Sequence, residues 1–236
     1  MSLTRHHLYI LLSCSISRNV ESCTCLVSKN INNQYFLNCD PAFDPKYFLR
    51  YSANRQKKVA IADAAVRLIP PGSFLFLDSG TTVLELAKRL VDLESICVVT
   101  NNLYIPMYIS QRPCSISVEF LGGNVNLPSM STSGVPACQK LDEYRADFVF
   151  FSADGIDFTR GVTTKEYQLV DVKRAMLRNA DKRILLIDSS KINIYTVQYI
   201  ASLDEIDTVI IDSGICKADE QMLEQLVPNV VIAKLD

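Results

Sequence analysis

The sequence predicts an α/β fold: a mostly parallel, Rossmann-like sheet with helices on both faces. Three observations predict it. From about residue 54 onward, helical and strand patterns alternate with short polar connectors. The strand segments are continuous apolar runs, as in strands covered on both sides. Each run is followed by polar or glycine residues.

The elements follow in order. Val59, Ala62, Val66 and Ile69 recur at three- and four-residue steps on one helical face, and Pro70-Pro71-Gly72 stops that helix. A strand follows over 74–77, and a helix begins near Thr82. Further strands are predicted over 96–99, ending in Thr100-Asn101-Asn102; over 116–121, ending in Gly122-Gly123-Asn124; and over 148–151, ending in Ser152-Ala153-Asp154-Gly155. Residues 166–180 have helix-forming composition, with Leu169, Val172, Met176 and Ala180 on one stripe. That helix leads into a strand over 184–187, which ends in Asp188-Ser189-Ser190-Lys191. Two β-branched runs, 209–211 and 230–232, flank a helix over 218–226 and complete the sheet.

The first fifty residues read differently. They are rich in Ser, Asn and Cys, with weak periodicity and one short helical signal over 8–12. Asp40-Pro41 and Asp44-Pro45 form a linker-like stretch, which divides the chain into an atypical segment, 1–50, and an α/β body, 51–236.

Composition narrows the function. The chain has 236 residues, 48% of them hydrophobic, enough to bury a substantial core. Its 24 basic and 26 acidic residues leave a formal charge of −2, so no global field favours nucleic acid or an anionic membrane. His6 and His7 are the only histidines, which argues against a Ser-His-Asp triad, a His-rich zinc site or a His general base in the body. Cys97, Cys114, Cys138 and Cys216 read as buried reduced thiols. Cys23-Thr24-Cys25 lacks the two-residue gap of zinc knuckles, so neither metal nor cofactor is expected. No apolar run reaches the length of a membrane span, and the run over 8–14 is shorter than a signal-peptide core, so the reading is cytoplasmic.

The candidate site lies where strands end. In open parallel sheets, ligands bind beyond the carboxyl ends of the strands. Those ends supply Asp78, Ser79, Gly80, Thr81 and Thr82; Thr100 and Asn101; Gly122 and Gly123; Asp154 and Gly155; and Lys191. Gly80 permits close approach, the hydroxyls add donors, and the start of the following helix favours an anion, either phosphate or carboxylate. Lys191 either neutralises a ligand phosphate or pairs with Asp188 on the surface.

Several motifs occur in order: Asn54-Arg55-Gln56-Lys57-Lys58-Val59-Ala60-Ile61-Ala62, then DSGTT at 78–82, VTNN at 99–102, LGGN at 121–124, ADGID at 153–157, GVTT at 161–164 and DSSK at 188–191. Together, over roughly residues 50–236, they resemble the DeoR family of bacterial transcriptional regulators. The resemblance implies a ribose-5-phosphate-isomerase-like fold and a sensor domain for a phosphorylated sugar or polyol. It places the 78–82 loop, Asp154 and Lys191 in the pocket. A repressor of a sugar or polyol operon, acting as a homo-oligomer, is the implied role, and GVTT is similar to the branch regulating polyols, which favours a hexitol phosphate.

The rival reading is a sugar-phosphate isomerase. Asp154-Gly155-Ile156-Asp157 keeps both acids of the isomerase loop, but the position of the catalytic glutamate is occupied by Lys173. A cation there is no base for a carbon-bound proton, so a binding site without turnover is expected, with Asp157 and Lys173 among its ligand-binding residues and Asp171 the base of the rival reading. A third reading is an interaction module with a vestigial pocket. The chain also lacks the TIRRDL-like recognition helix of DeoR regulators, and between residues 13 and 49 its only basic residues are Arg18, Lys29 and Lys46. The amino-terminal segment reads as a degraded, truncated or wrongly framed DNA-binding domain. Operator DNA is a partner only if that segment functions.

Overall fold

The computed structural model describes residues 26–29, 35–38 and 45–235. The helical signal over 8–12, Cys23-Thr24-Cys25 and the Asp40-Pro41 stretch lie outside them. Strands β1 (Leu26–Lys29) and β2 (Tyr35–Asn38) form an antiparallel pair. The body begins with helices α1 (Pro45–Ser52) and α2 (Arg55–Val66), followed by β3 (Phe74–Leu77), α3 (Thr81–Ala87), β4 (Cys97–Thr100), α4 (Tyr104–Ile109) and β5 (Ser117–Phe120). Next come β6 (Asn124–Asn126), β7 (Ser131–Ser133), α5 (Val135–Leu141), β8 (Ala146–Phe151), β9 (Gly155–Asp157) and β10 (Gly161–Thr164). The chain closes with α6 (Val170–Arg178), β11 (Ala180–Ile187), β12 (Gln198–Ala201), β13 (Thr208–Asp212), α7 (Lys217–Leu226) and β14 (Asn229–Ala233).

Seven strands form one sheet in the order β14-β13-β11-β8-β3-β4-β5, and every neighbouring pair is parallel. This is the α/β architecture expected from the alternating pattern. The side chains of each strand alternate between two cores. Val149, Phe151, Leu185 and Ile187 pack with α5, α6 and α7 on one face. Phe150, Ile184, Leu186 and Leu75 pack with α2, α3 and α4 on the other. Both faces are therefore apolar, which is why the strands read as unbroken hydrophobic runs.

Three differences from the sequence reading have local causes. The helix expected over 166–180 is shorter: a 3₁₀ turn (Tyr167–Leu169) precedes α6, and Ala180 already pairs with Ala146 as the first residue of β11. The strands β6, β7, β9, β10 and β12 form small antiparallel pairings, and runs of three or four residues are too short to show a period in sequence. The scattered cysteines are free but not buried, Cys97 and Cys216 being exposed and Cys114 and Cys138 half-buried. Cys97, for instance, is the exposed first residue of β4, whose next three residues are buried.

The boundary drawn at residue 50 falls inside α1. That helix is fastened to the body: Tyr47 is buried, its ring 4.6 Å from that of Tyr104. Among the described residues, no helix is long and apolar enough to cross a membrane.

Candidate functional site

Strands β3, β4 and β5 run outward on one side of the sheet, and β8, β11, β13 and β14 on the other, so the strand order reverses between β3 and β8. Loops leaving neighbouring strands in opposite directions open a crevice at their carboxyl ends. A cavity of about 250 Å³ lies there. Ser79, Gly80 and Thr81 reach it from the end of β3, Ser152, Ala153 and Asp154 from β8, and Asp188, Ser190 and Lys191 from β11. Thr164 and Glu166 close one side, Ser129 another, and Arg50, Ala53, Asn54 and Lys58 form a wall from the α1–α2 corner.

The floor is a buried ion pair. Lys173 on α6 lies 2.5 Å from the Asp78 carboxylate and donates to the Ser152 carbonyl at 2.9 Å, while the Ser152 amide donates to Asp78 at 3.1 Å. Asp78 is fully buried and is therefore a support beneath the loop. Lys173 lines the cavity with its ammonium donors directed at Asp78 and Ser152. The glycine above them is a packing requirement: a Cβ on Gly80 would lie 1.8 Å from Ser152 Oγ and 2.7 Å from Ser152 Cβ. Gly80 has an ordinary φ of −70°, so it is close approach and not backbone strain that selects glycine here.

Above this floor the cavity carries charge of both signs. Lys191 Nζ donates to Ala153 O at 2.7 Å and lies 4.0 Å from Asp188. Burial pushes the Lys191 ammonium below the usual lysine value, although Asp188 and Asp154 act the other way. Lys58 is almost fully buried; burial, aided by the Lys191 ammonium, lowers its pKa to about 8. Burial pushes the Asp154 carboxyl up, but the Lys165 amide, the Thr164 hydroxyl and the Lys191 ammonium outweigh it and hold the group below the usual carboxylate range. Thr164 Oγ1 and Lys165 N both donate to Asp154 Oδ2 at 2.8 Å.

Asn54 fixes the corner. It adopts a left-handed conformation, φ 53°, which asparagine tolerates well, and its Nδ2 donates to Asp188 Oδ1 and Ser190 Oγ, both at 3.1 Å. The neighbouring Lys57 donates to Ser189 Oγ at 2.6 Å and lies 3.3 Å from buried Asp212. The amino end of α2 is thereby tied to the ends of β11 and β13.

The remaining sequence candidates lie away from the cavity. Thr82 is buried within α3. Thr100 Oγ1 donates to Leu77 O at 2.6 Å, and Asn101 Nδ2 donates to Thr132 O at 3.0 Å, so both tie loops to the sheet. Gly122 is exposed, and Gly123, at φ +117°, lies so near the Ser133 carbonyl that a Cβ would be 2.3 Å from it. Gly155 packs on the Ile194 carbonyl, 2.2 Å from where its Cβ would stand. Asp157 accepts from the amides of Thr159 and Arg160 at 2.9 and 2.8 Å in the β9–β10 turn. Asp171 is exposed on α6, outside the cavity lining. Arg50 and Glu166, in contrast, carry no signal in sequence, while Asn54 and Lys58 were visible only as part of the motif opening at residue 54. Among the described residues no His, Cys, Asp and Glu cluster could hold a metal.

The sequence pattern of the DeoR C-terminal sensor domain matches residues 53–213. The chain belongs to the DeoR family. An HTH-type transcriptional regulator from Haemophilus influenzae, similar to this DeoR chain, is 33% identical over 76% of it and 68% of its own length. Transcriptional repressor AccR from Agrobacterium fabrum is 30% identical, over 76% of this chain and 70% of AccR. The chain spans about two thirds of the length of the curated DeoR relatives it matches. Among solved structures, ribose 5-phosphate isomerase A from Methanocaldococcus jannaschii is similar in fold, at 20% identity and a TM-score of 0.44 over 59% of this chain and 55% of that one.

Proposed function

We propose that the described body is the effector-sensing part of a DeoR-type transcriptional regulator, and that its effector is a phosphorylated sugar or polyol held in the cavity between β3 and β8. The observation that carries this reading is the convergence of Lys58, Lys191 and Arg50 on one small cavity also lined by the Ser79-Gly80-Thr81 loop. Three cations beside hydroxyl and amide donors suit a phosphate, and Asp154 and Ser129 suit the hydroxyls of its carrier. A cavity of about 250 Å³ suits a ligand the size of a sugar phosphate.

The arrangement favours binding over turnover. Lys173, at the position of the isomerase glutamate, is directed at Asp78 and Ser152 and offers no carboxylate to remove a carbon-bound proton. A repressor of a sugar or polyol operon, cytoplasmic and homo-oligomeric, is the whole-protein role we infer, with a hexitol phosphate as the first effector to test. Operator DNA is a partner if the amino-terminal segment, 1–50, is a functional DNA-binding segment, which a gel shift against the upstream region of its own operon tests.

Thermal-shift titration with a panel of pentose, hexose and hexitol phosphates tests the effector. A ligand at a hundred times its Kd stabilises by about 2.7 kcal/mol, or roughly 5–10 °C for a chain of this size. Stabilisation by one compound, abolished in Lys191→Ala, is the expected result. Silence across the panel overturns the reading and leaves the vestigial module.

A further inference from the structure

We propose that Arg50 exchanges partners when the cavity fills, leaving Glu166 for the anionic group of the ligand, and that this exchange links occupancy to helix α1. The inference rests on the anionic effector proposed above. In the structure Arg50 Nη1 lies 3.2 Å from Glu166 Oε1, Nη2 donates to Pro128 O at 2.6 Å, and the buried Nε has no hydrogen-bond partner. Arg50 and Glu166 side chains are 39% and 26% exposed, so the pair is screened and weakly held. A phosphate dianion offers the guanidinium a stronger, two-pronged partner.

Three groups that line this cavity, Arg50, Asn54 and Lys58, also fasten α1. Arg50 ties the helix to Glu166 and Pro128. Lys58 Nζ donates to the Arg50 carbonyl and, at 2.7 Å, to the Ala53 carbonyl, so it caps the carboxyl end of α1 from inside the cavity. Asn54 holds the turn between α1 and α2 through Asp188 and Ser190. A ligand alters a conformational equilibrium only by interacting differently with its two states. Here the difference is which partner Arg50 holds: the rim of the cavity when empty, the ligand when full. Helix α1 is the first helix of the body, and its amino end leads directly to residues 1–44, so a change in its fastening is passed toward that segment.

A double-mutant cycle on the full chain tests the exchange, with inorganic phosphate and glucitol 6-phosphate as probes in isothermal titration and amide exchange followed over residues 47–54 and 165–168. Glu166→Gln removes the competitor and is expected to tighten binding about three- to fivefold. In an Arg50→Gln background the same change is expected to leave affinity unaltered within about twofold. Saturating ligand is expected to slow exchange over 47–54 and quicken it over 165–168 in the unmodified chain, and to do neither in Arg50→Gln. Equal tightening in both backgrounds means simple charge repulsion and overturns the exchange, as does ligand binding with unchanged exchange over 47–54. If Arg50→Gln does not fold, Arg50→Lys, which keeps the charge and loses the fork, completes the cycle. Failure of both probes to bind the unmodified chain removes the anionic effector itself, and the exchange with it.

Discussion

Replacing Lys173 by methionine is the sharpest test of how the site is supported. The Lys173 and Asp78 side chains are 5% and 0% exposed, 2.5 Å apart, and both bond the Ser152 peptide, one to its carbonyl and one to its amide. Lys173→Met keeps the length of the stem and leaves the Asp78 carboxylate buried without its cation. Breaking a buried pair in this way costs about 3–5 kcal/mol, because the remaining charge has no compensation. For a chain of this size that is a fall in Tm of roughly 10 °C. The double variant Asp78→Asn with Lys173→Met removes both charges and is expected to recover much of the loss, with a coupling of about 2 kcal/mol or more. Guanidinium unfolding of the four proteins, without ligand, measures the cycle. A single variant within about 1 kcal/mol of the unmodified protein, or additive effects in the cycle, refutes the reasoning. If effector binding disappears while the ligand-free protein keeps its stability, Lys173 holds the ligand and not the loop.

Two further predictions concern packing and protonation. Gly80→Ala is expected to destabilise by about 1–3 kcal/mol through overlap with the Ser152 side chain. Adding Ser152→Gly is expected to relieve most of that loss in thermal unfolding; failure of relief means that the loop selects glycine for another reason. For Lys58, held at about 8 in the fold against 10.5 for an ordinary lysine, the unfolded chain binds more protons between these values. The burden of its buried charge is therefore fully present below pH 8 and relieved as pH rises toward 10.5. Anion binding runs the opposite way: affinity for a sugar phosphate is expected to fall as pH rises through 8, and Lys58→Arg to flatten that fall in calorimetric titrations from pH 7 to 9. An equally steep fall in Lys58→Arg assigns the titration to another group.

The parts legible in sequence were those written in local pattern. Continuous apolar runs such as 74–77 and 184–187 announce strands covered on both faces, and the two cores show why. The glycine and hydroxyls after β3 and the lysine after β11 could be picked out because residues at strand ends serve either capping or ligands. The same rule selected Thr100, Asn101, Gly122 and Gly123, which the fold places along β4 and β5, on the far side of β3 from the cavity. Nothing local distinguishes one polar strand end from another. Arg50 and Glu166 are 116 residues apart, and neither residue type nor spacing marks them as neighbours.

The sequence alone determined the class of the fold, its family and the type of group that gathers at its strand ends, because periodicity, turn residues and short motifs are properties of neighbouring residues. Only the tertiary structure decided which of those ends meet. The cavity exists because β8 returns beside β3 and not beyond β5, and strand order is set by packing between segments far apart in the chain, which local pattern does not encode.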